Sequence, residues 1–270
     1  MRKLIVIESI YKNDRPEYLK HSIESIISQT FDDFKLLLYV DGPISAELWT
    51  TIQLVTDKRI EVICNKNNSG LAVALNNLLS LCKGYEYIAR MDADDISRDD
   101  RFEKQISYLE SHSDVDVVGG AINEIDEIGR NRGKVTHYPL SPVACRKFFE
   151  KRNPVAHPTV MFRRRFFEKT GWMYPTDFPN NEDTCLWWEG YKPGCVIANL
   201  PDVLLDFRIT ESMFEHRRNG VKLAKSQLRL RKMIASDLNY GMMAYVYAYA
   251  MFILMVSPSW ILKIAYRILR

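Results

Sequence analysis

A chain of 270 residues, 47% hydrophobic and 26% charged, can bury a substantial core in one large domain or two small ones, and this composition excludes intrinsic disorder. The net charge of +3 conceals a division, because ten Lys and Arg against three acids from Thr210 onward give that end +7 and leave −4 on the rest. A slightly acidic body with no basic stripe excludes nucleic acid as the main partner, while the basic, apolar end points to a membrane surface.

The first eight residues turn acidic at Glu8, too soon for a signal peptide, and read instead as a core strand. Apolar runs at 4–9, 35–40, 60–64 and 85–91 predict four strands separated by helical patterns. Asp14 is placed to cap the first helix, with Pro16 in its opening turn and Leu19, Ile23, Ile26 and Ile27 as its buried stripe. Ser69 and Gly70 open the third helix, which carries Leu71, Leu75, Leu78 and Leu79 at helical spacing. Such alternation implies a parallel sheet with helices on both faces and ligands at the carboxyl ends of the strands. From 115 to 208 the pattern is mixed, with short strands expected at 115–119, 159–162, 196–200 and 203–208 and no linker before them. Cys64, Cys82, Cys145, Cys185 and Cys195 are odd in number and lack C-x-x-C spacing, as expected of reduced thiols in a cytosolic protein.

Three carboxylates, Asp92, Asp94 and Asp95, crowd where the fourth strand stops. Alternation along an extended chain puts Asp92 and Asp94 on one side and Ala93 and Asp95 on the other. Two hard oxygen ligands then suit Mg²⁺ or Mn²⁺, with a diphosphate supplying the remaining oxygens; a solvated acidic turn is the alternative. Asp41 precedes Gly42, where a missing side chain would let a flat ring approach the backbone. A carboxylate there can accept the N3–H of uracil and repel cytosine, or simply cap a turn. Glu182 and Asp183 follow Asn181 and look like the first turn of an asparagine-capped helix, where acids also complement the dipole. Consecutive helical residues point about 100° apart, so only one of the two faces a given site. Asp183, if it faces the cleft, can deprotonate a sugar hydroxyl as that oxygen attacks an anomeric carbon, while a metal ion stabilises the departing diphosphate. A single in-line displacement of this kind inverts the anomeric centre.

These stretches, together with residues 11–15, 25–31, 40–43, 67–71 and 89–95, Arg101 and Phe102, resemble the family 2 glycosyltransferases of GT-A fold, particularly bacterial members that build O-antigen and exopolysaccharide repeat units. The resemblance covers residues 4–208. It implies a Rossmann-like α/β domain over 1–209, with 1–100 as the nucleotide-sugar half and 101–209 as the acceptor half. By it, Asp41 binds uracil, Tyr11, Asn13 and Arg90 contact the nucleotide, Asp92 and Asp94 hold nucleotide and metal, and Asp183 is the base. Asp95, Glu182 and His157 support the site or meet the acceptor. The implied reaction is the metal-dependent, inverting transfer of one hexose or N-acetylhexosamine from a UDP-sugar to an undecaprenyl-diphosphate-linked saccharide in cell-surface polysaccharide synthesis. The chain departs from the family at Glu8-Ser9-Ile10, where a proline is usual. It also lacks the Q-x-x-R-W element of processive members, so transfer of one sugar is expected. A sugar-phosphate nucleotidyltransferase would need a glycine-rich loop after the first strand, and residues 11–16 contain no glycine. A non-catalytic membrane-docking protein would use the tail alone.

The tail, 210–270, is basic and amphipathic to 236 and uncharged from 241 to 262. Its first uninterrupted stretch, 241–256, falls short of the ~20 residues that span a bilayer, and Pro258 interrupts the longer one. Cationic flanks, with Tyr245, Tyr247, Tyr249 and Trp260 as anchors, suit helices lying peripherally on the cytoplasmic face of the cell membrane, with residues 217–232 meeting anionic headgroups. A hairpin packed on the domain or between the subunits of a homodimer is the other arrangement such helices serve.

Overall fold

A computed structural model describes residues 2–210 and 221–257. The cations Arg217, Arg218, Lys263, Arg267 and Arg270, with Pro258 and Trp260, lie outside the described residues. In chain order the elements are β1 Arg2–Ile10, α1 Pro16–Ile27, β2 Phe34–Asp41, α2 Ala46–Leu54, β3 Ile60–Asn65, α3 Leu71–Ser80, β4 Tyr85–Asp92, β5 Ile96–Ser97, α4 Arg101–Ser111, β6 Val117–Ile125, β7 Asn131–Thr136 and α5 Pro142–Phe149. A single 3₁₀ turn at His157–Thr159 precedes β8 Met161–Arg163, α6 Arg164–Thr170, α7 Glu182–Tyr191, β9 Ile197–Arg208, α8 Val221–Asp237 and α9 Met242–Val256.

The first four strands form where the apolar runs fall. Alternation along β1 sends Leu4 and Val6 into a core with Ile23, Ile26 and Phe102, and Ile5 and Ile7 into a second core with Leu75, Leu79 and Trp187. A strand buried on both faces is apolar along most of its length, which is why the middles of β1 and β2 read as runs of Val, Ile and Leu. At the N-terminus of α1, Pro16 takes the first helical position, where it loses no hydrogen bond. Asp14 does not cap that helix. Its carboxylate accepts instead from the Tyr11 amide at 2.8 Å and closes the turn after β1.

The sheet runs β3-β2-β1-β4-β8-β6-β9-β5, with β7 paired to β6. Its first half is parallel, and β1 lies between β2 and β4, so the chain leaves β1 in one direction and returns on the other side. That reversal opens a crevice at the carboxyl ends of β1 and β4, where Ser9 stands beside Asp92. Beyond β4 the sheet is mixed, because β8 runs antiparallel to both β4 and β6. The two strands expected at 196–200 and 203–208 are one strand, β9, whose register slips against β6 between Gly119 and Ile122. The bulge absorbs Pro201, so the turn residue does not end the strand.

The tail packs on the domain over its first described helix. Leu230 and Ile234 of α8, with Leu238 just after it, share a core with Trp187 and Tyr191 of α7. No helix among the described residues is long and apolar enough to cross a membrane.

Candidate active site

Asp92 is the last residue of β4, and Ala93 and Asp94 form the turn that follows. Exposure keeps the expected alternation, with Asp92 and Asp94 partly open and Ala93 and Asp95 buried. The carboxylates do not separate accordingly: oxygens of Asp92, Asp94 and Asp95 all lie within 4.8 Å of one another, because the chain turns at 93–94 and brings Asp95 back into the cluster. One Asp95 oxygen accepts the Arg208 amide at 2.9 Å, while the other is buried without a partner. Burial, with Asp94 and Asp92 alongside, pushes the Asp95 carboxyl well above the usual carboxylate range. A buried, orphaned oxygen beside two more carboxylates is a donor set that fits a hard divalent cation.

Arg208 supports this turn from β9. Its Nε donates to the Asp94 carbonyl at 2.8 Å and its Nη1 to the carbonyls of Asp126 and Glu127, and its guanidinium lies 4.1 Å from the Tyr18 ring centroid. Arg101 anchors the strand behind it, donating to the Arg90 and Val160 carbonyls. Ser25 in α1 and Gln29 just beyond its end bind the backbone of 97–102, which explains why that stretch carries buried polar residues.

Arg90 is the centre of the arrangement. It is buried and pairs through one guanidinium nitrogen with Asp92, yet its Nε and Nη1 have no partner. Burial works against its charge, but Asp92, Tyr174, Glu182 and Asp183 outweigh it and hold the guanidinium above its usual range. The acid cluster and the first turn of α7 therefore face one cation.

At that first turn Asn181 occupies the cap position, but its side chain makes no capping bond and instead accepts from Gln227 of α8. The Asp183 carboxylate accepts the Thr184 amide at 2.6 Å on one oxygen and Asn153 Nδ2 at 2.7 Å on the other. Thr184 Oγ1 in turn donates to Asn153 Oδ1 at 2.9 Å. Burial raises the Asp183 carboxyl, against the lowering effects of the Thr184 amide, Arg90 and Arg231. Glu182 is raised as well, chiefly by burial. His157 lies behind this turn, 3.2 Å from the Tyr174 hydroxyl and edge-on to Trp187. Burial and then the Arg90 charge hold it neutral, far below its usual range, so it serves as a hydrogen-bonding support.

At the carboxyl end of β2 both Asp41 oxygens are already in use. They accept from the Ser69 and Gly70 amides at 2.9 Å each, from the Ser69 hydroxyl at 2.7 Å and from Asn65 at 3.3 Å. Asp41 thus clamps the loop that leads into α3. Gly42, at φ +90°, is required because a β-carbon would stand 2.5 Å from the Asn68 backbone nitrogen. The close neighbour is this loop, where a flat ring was expected. Tyr11 and Asn13 are exposed in the turn after β1.

Glu8, at the departure from the family pattern, is fully buried in β1. Ser22 Oγ stands 3.1 Å from both the Glu8 carboxyl and the Asp92 carbonyl, and the second Glu8 oxygen has no partner. Burial pushes this carboxyl up to about 8 against the Ser22 bond, with Asp92, Asp14 and Asp94 adding to the rise. Glu8, Asn153, Tyr174, Arg208 and Arg231 were not expected at the site. Each is a single residue whose place depends on a distant strand or helix, so no local spacing marks it.

With this geometry in view, comparison with known proteins is decisive. The model for glycosyl transferase family 2 matches residues 6–171. The chain belongs to this family. The amylovoran biosynthesis glycosyltransferase AmsE of Erwinia amylovora is 36% identical over 234 residues, covering 84% of each chain. The UDP-Gal:alpha-D-GlcNAc-diphosphoundecaprenol beta-1,3-galactosyltransferase of Escherichia coli is 28% identical over 84% of this chain and 81% of its own. Among solved structures, S. aureus TarS 1–349 in complex with UDP-GlcNAc superposes with a TM-score of 0.67 at 16% identity, over 93% of this glycosyltransferase and 70% of that chain, and shares the GT-A fold.

Proposed function

We propose that this glycosyltransferase transfers one hexose or N-acetylhexosamine from a UDP-sugar to an undecaprenyl-diphosphate-linked saccharide in cell-surface polysaccharide synthesis, with inversion. One observation carries the reading: a buried arginine, Arg90, is paired with Asp92 and lies in the field of Asp183, so the leaving-group end and the base end of a displacement meet on one cation. The names of the Erwinia and Escherichia relatives, and the nucleotide sugar in the S. aureus complex, support the donor and acceptor classes.

Asp183 accepts the proton of the acceptor hydroxyl as that oxygen bonds to the anomeric carbon and the bond to the diphosphate breaks, the electron pair leaving with UDP. Asn153 and the Thr184 amide each hold one Asp183 oxygen and leave a lone pair for the hydroxyl. The partnerless Nε and Nη1 of Arg90 are donors for oxygens of the sugar or its phosphates. Asp94 and Asp92, with Asp95 behind them, would hold Mn²⁺ or Mg²⁺, which would supply Lewis-acid neutralisation of the diphosphate. Tyr11, Asn13 and Asp41 lie toward the nucleoside, where the uracil N3–H has to share Asp41 with the Ser69 and Gly70 amides. A thermal-shift series tests the donor class: UDP-sugars with Mn²⁺ should raise Tm, by mass action, more than GDP-sugars do. Equal shifts from both would reject the uridine assignment.

The described part of the tail supports a peripheral location at the inner face of the membrane. On α8, Lys222, Lys225, Arg229 and Lys232 form one exposed stripe, and on α9 Met242, Val246, Tyr249, Ile253 and Val256 form an exposed apolar one. Lys232 Nζ lies 5.8 Å from the Tyr249 ring centroid, so the two stripes adjoin as they would on an anionic interface. Co-sedimentation with phosphatidylglycerol vesicles should be strong in low salt, with each cation contributing ~1 kcal/mol, and weak with phosphatidylcholine. Retention on neither vesicle, with a concentration-dependent dimer instead, would assign the apolar stripe to a second copy.

A further inference from the structure

We infer that α8 belongs to the acceptor-side active site, its Gln227 and Arg231 being positioning residues for the turn that carries Asp183; this rests on the reading of Asp183 as base. Helix α8 runs along α7 and is tied to it at both ends. Near the start, Gln227 Nε2 donates to Asn181 Oδ1, drawing the side chain away from the cap it would otherwise make. Near the finish, Asp237 lies 3.8 Å from Lys192, the residue that ends α7. Between them Leu230 and Ile234 are buried in the core that holds Trp187, so the two helices cannot slide independently.

Arg231 projects from the same side of α8. Its Nη1 donates to the Phe149 carbonyl at 3.0 Å, and its guanidinium lies 5.5 Å from the Phe149 ring centroid. That bond fixes the end of α5, four residues before Asn153, which holds Asp183. Its charge reaches Asp183 directly and favours the ionised carboxylate. Among the described residues, the charged and titratable groups facing Asp183 are Arg90 from β4, Arg231 from α8, Tyr174 from the segment before α7, and Glu182 and Cys185 from α7 itself. Of these, the two arginines favour its negative charge. Arg90 is also paired with Asp92, whereas Arg231 bonds the Phe149 carbonyl.

The opposite side of α8 carries the exposed Lys222, Lys225, Arg229 and Lys232. One helix thus presents its cationic stripe outward and its positioning side chains inward.

The test compares Arg231→Met, Arg231→Lys, Gln227→Ala and Asp183→Asn in the full chain, measuring donor KM, kcat and the pH profile. Arg231→Met should lower kcat about 10- to 100-fold, the cost of a small displacement of a reacting group, with donor KM unchanged. Loss of the cation should also move the acid limb of the profile to higher pH, and Arg231→Lys should restore the limb. Gln227→Ala should lower kcat without moving the limb. A wild-type kcat and limb in Arg231→Met, or a limb that lysine does not restore, overturns the assignment of Arg231. If Arg231→Met does not fold, Gln227→Ala decides, and an unchanged kcat overturns the role of α8. Full turnover by Asp183→Asn would remove the base itself, and this inference with it. An inactive Asp183→Asn beside a fully active Gln227→Ala and Arg231→Met removes only the inference.

Discussion

Asp183→Asn is expected to lower kcat by about 10²- to 10⁴-fold, the contribution of a positioned general base, while the Tm shift given by UDP and Mn²⁺ stays at the wild-type value. Asparagine is nearly isosteric, and it can still accept the Thr184 amide on its one oxygen, so the first turn of α7 should persist. What disappears is a group able to take a proton. The Asn153 contact would then face an amide, and one of the two side chains has to flip. The wild-type pH profile carries an independent signature. Burial raises the Asp183 carboxyl above its ordinary value, and the base acts only when ionised, so activity should fall as pH drops through that raised value. An acid limb below the ordinary aspartate value would show that a different group supplies the base. A variant that turns over normally would eliminate Asp183 altogether.

Removal of the divalent ion should be the second large effect. Exhaustive EDTA treatment is expected to abolish transfer, and Mn²⁺ or Mg²⁺ to restore it. Asp94→Asn should lower kcat by about 10²- to 10³-fold, the scale of losing one preorganised electrostatic contact to developing charge. Among the three acids the expected order of damage follows their surroundings. Asp92 is already paired with Arg90, and Asp95 is held by the Arg208 amide, so each substitution there also disturbs the scaffold. Asp94 lies at the turn and is partly exposed, which makes it the most accessible probe of metal binding. Isothermal titration of Mn²⁺ in the presence of UDP, compared between wild type and Asp94→Asn, separates loss of the ion from loss of chemistry. Undiminished turnover in EDTA would overturn the metal-assisted reading.

The residues legible in the sequence are those whose signal is local. Val, Ile and Leu runs marked β1 and β2 because a strand covered on both faces has little polar side to show, and β4 was marked by its apolar run ending at Asp92. Asp41 and Asp92 stood at strand ends by counting alone, and parallel connectivity then put them on one rim. Glu182 and Asp183 opened a helix as their position after Asn181 indicated. Local reasoning failed where a second element supplied the partner. Asp14 closes a turn, Asn181 answers Gln227, and Asp41 also clamps Ser69 and Gly70.

By itself, then, the sequence determined the strand–helix alternation, the family, and the clustering of acids at the strand ends, since periodicity and motif spacing are properties of neighbouring residues. Only the tertiary structure decided that Arg90 faces both Asp92 and the α7 acids, that Arg208 reaches back from β9 to hold the Asp94 turn, and that α8 closes against α7. Burial, and the charge balance it enforces, depends on residues from 46 to 114 positions apart, and no local pattern records which of them will meet.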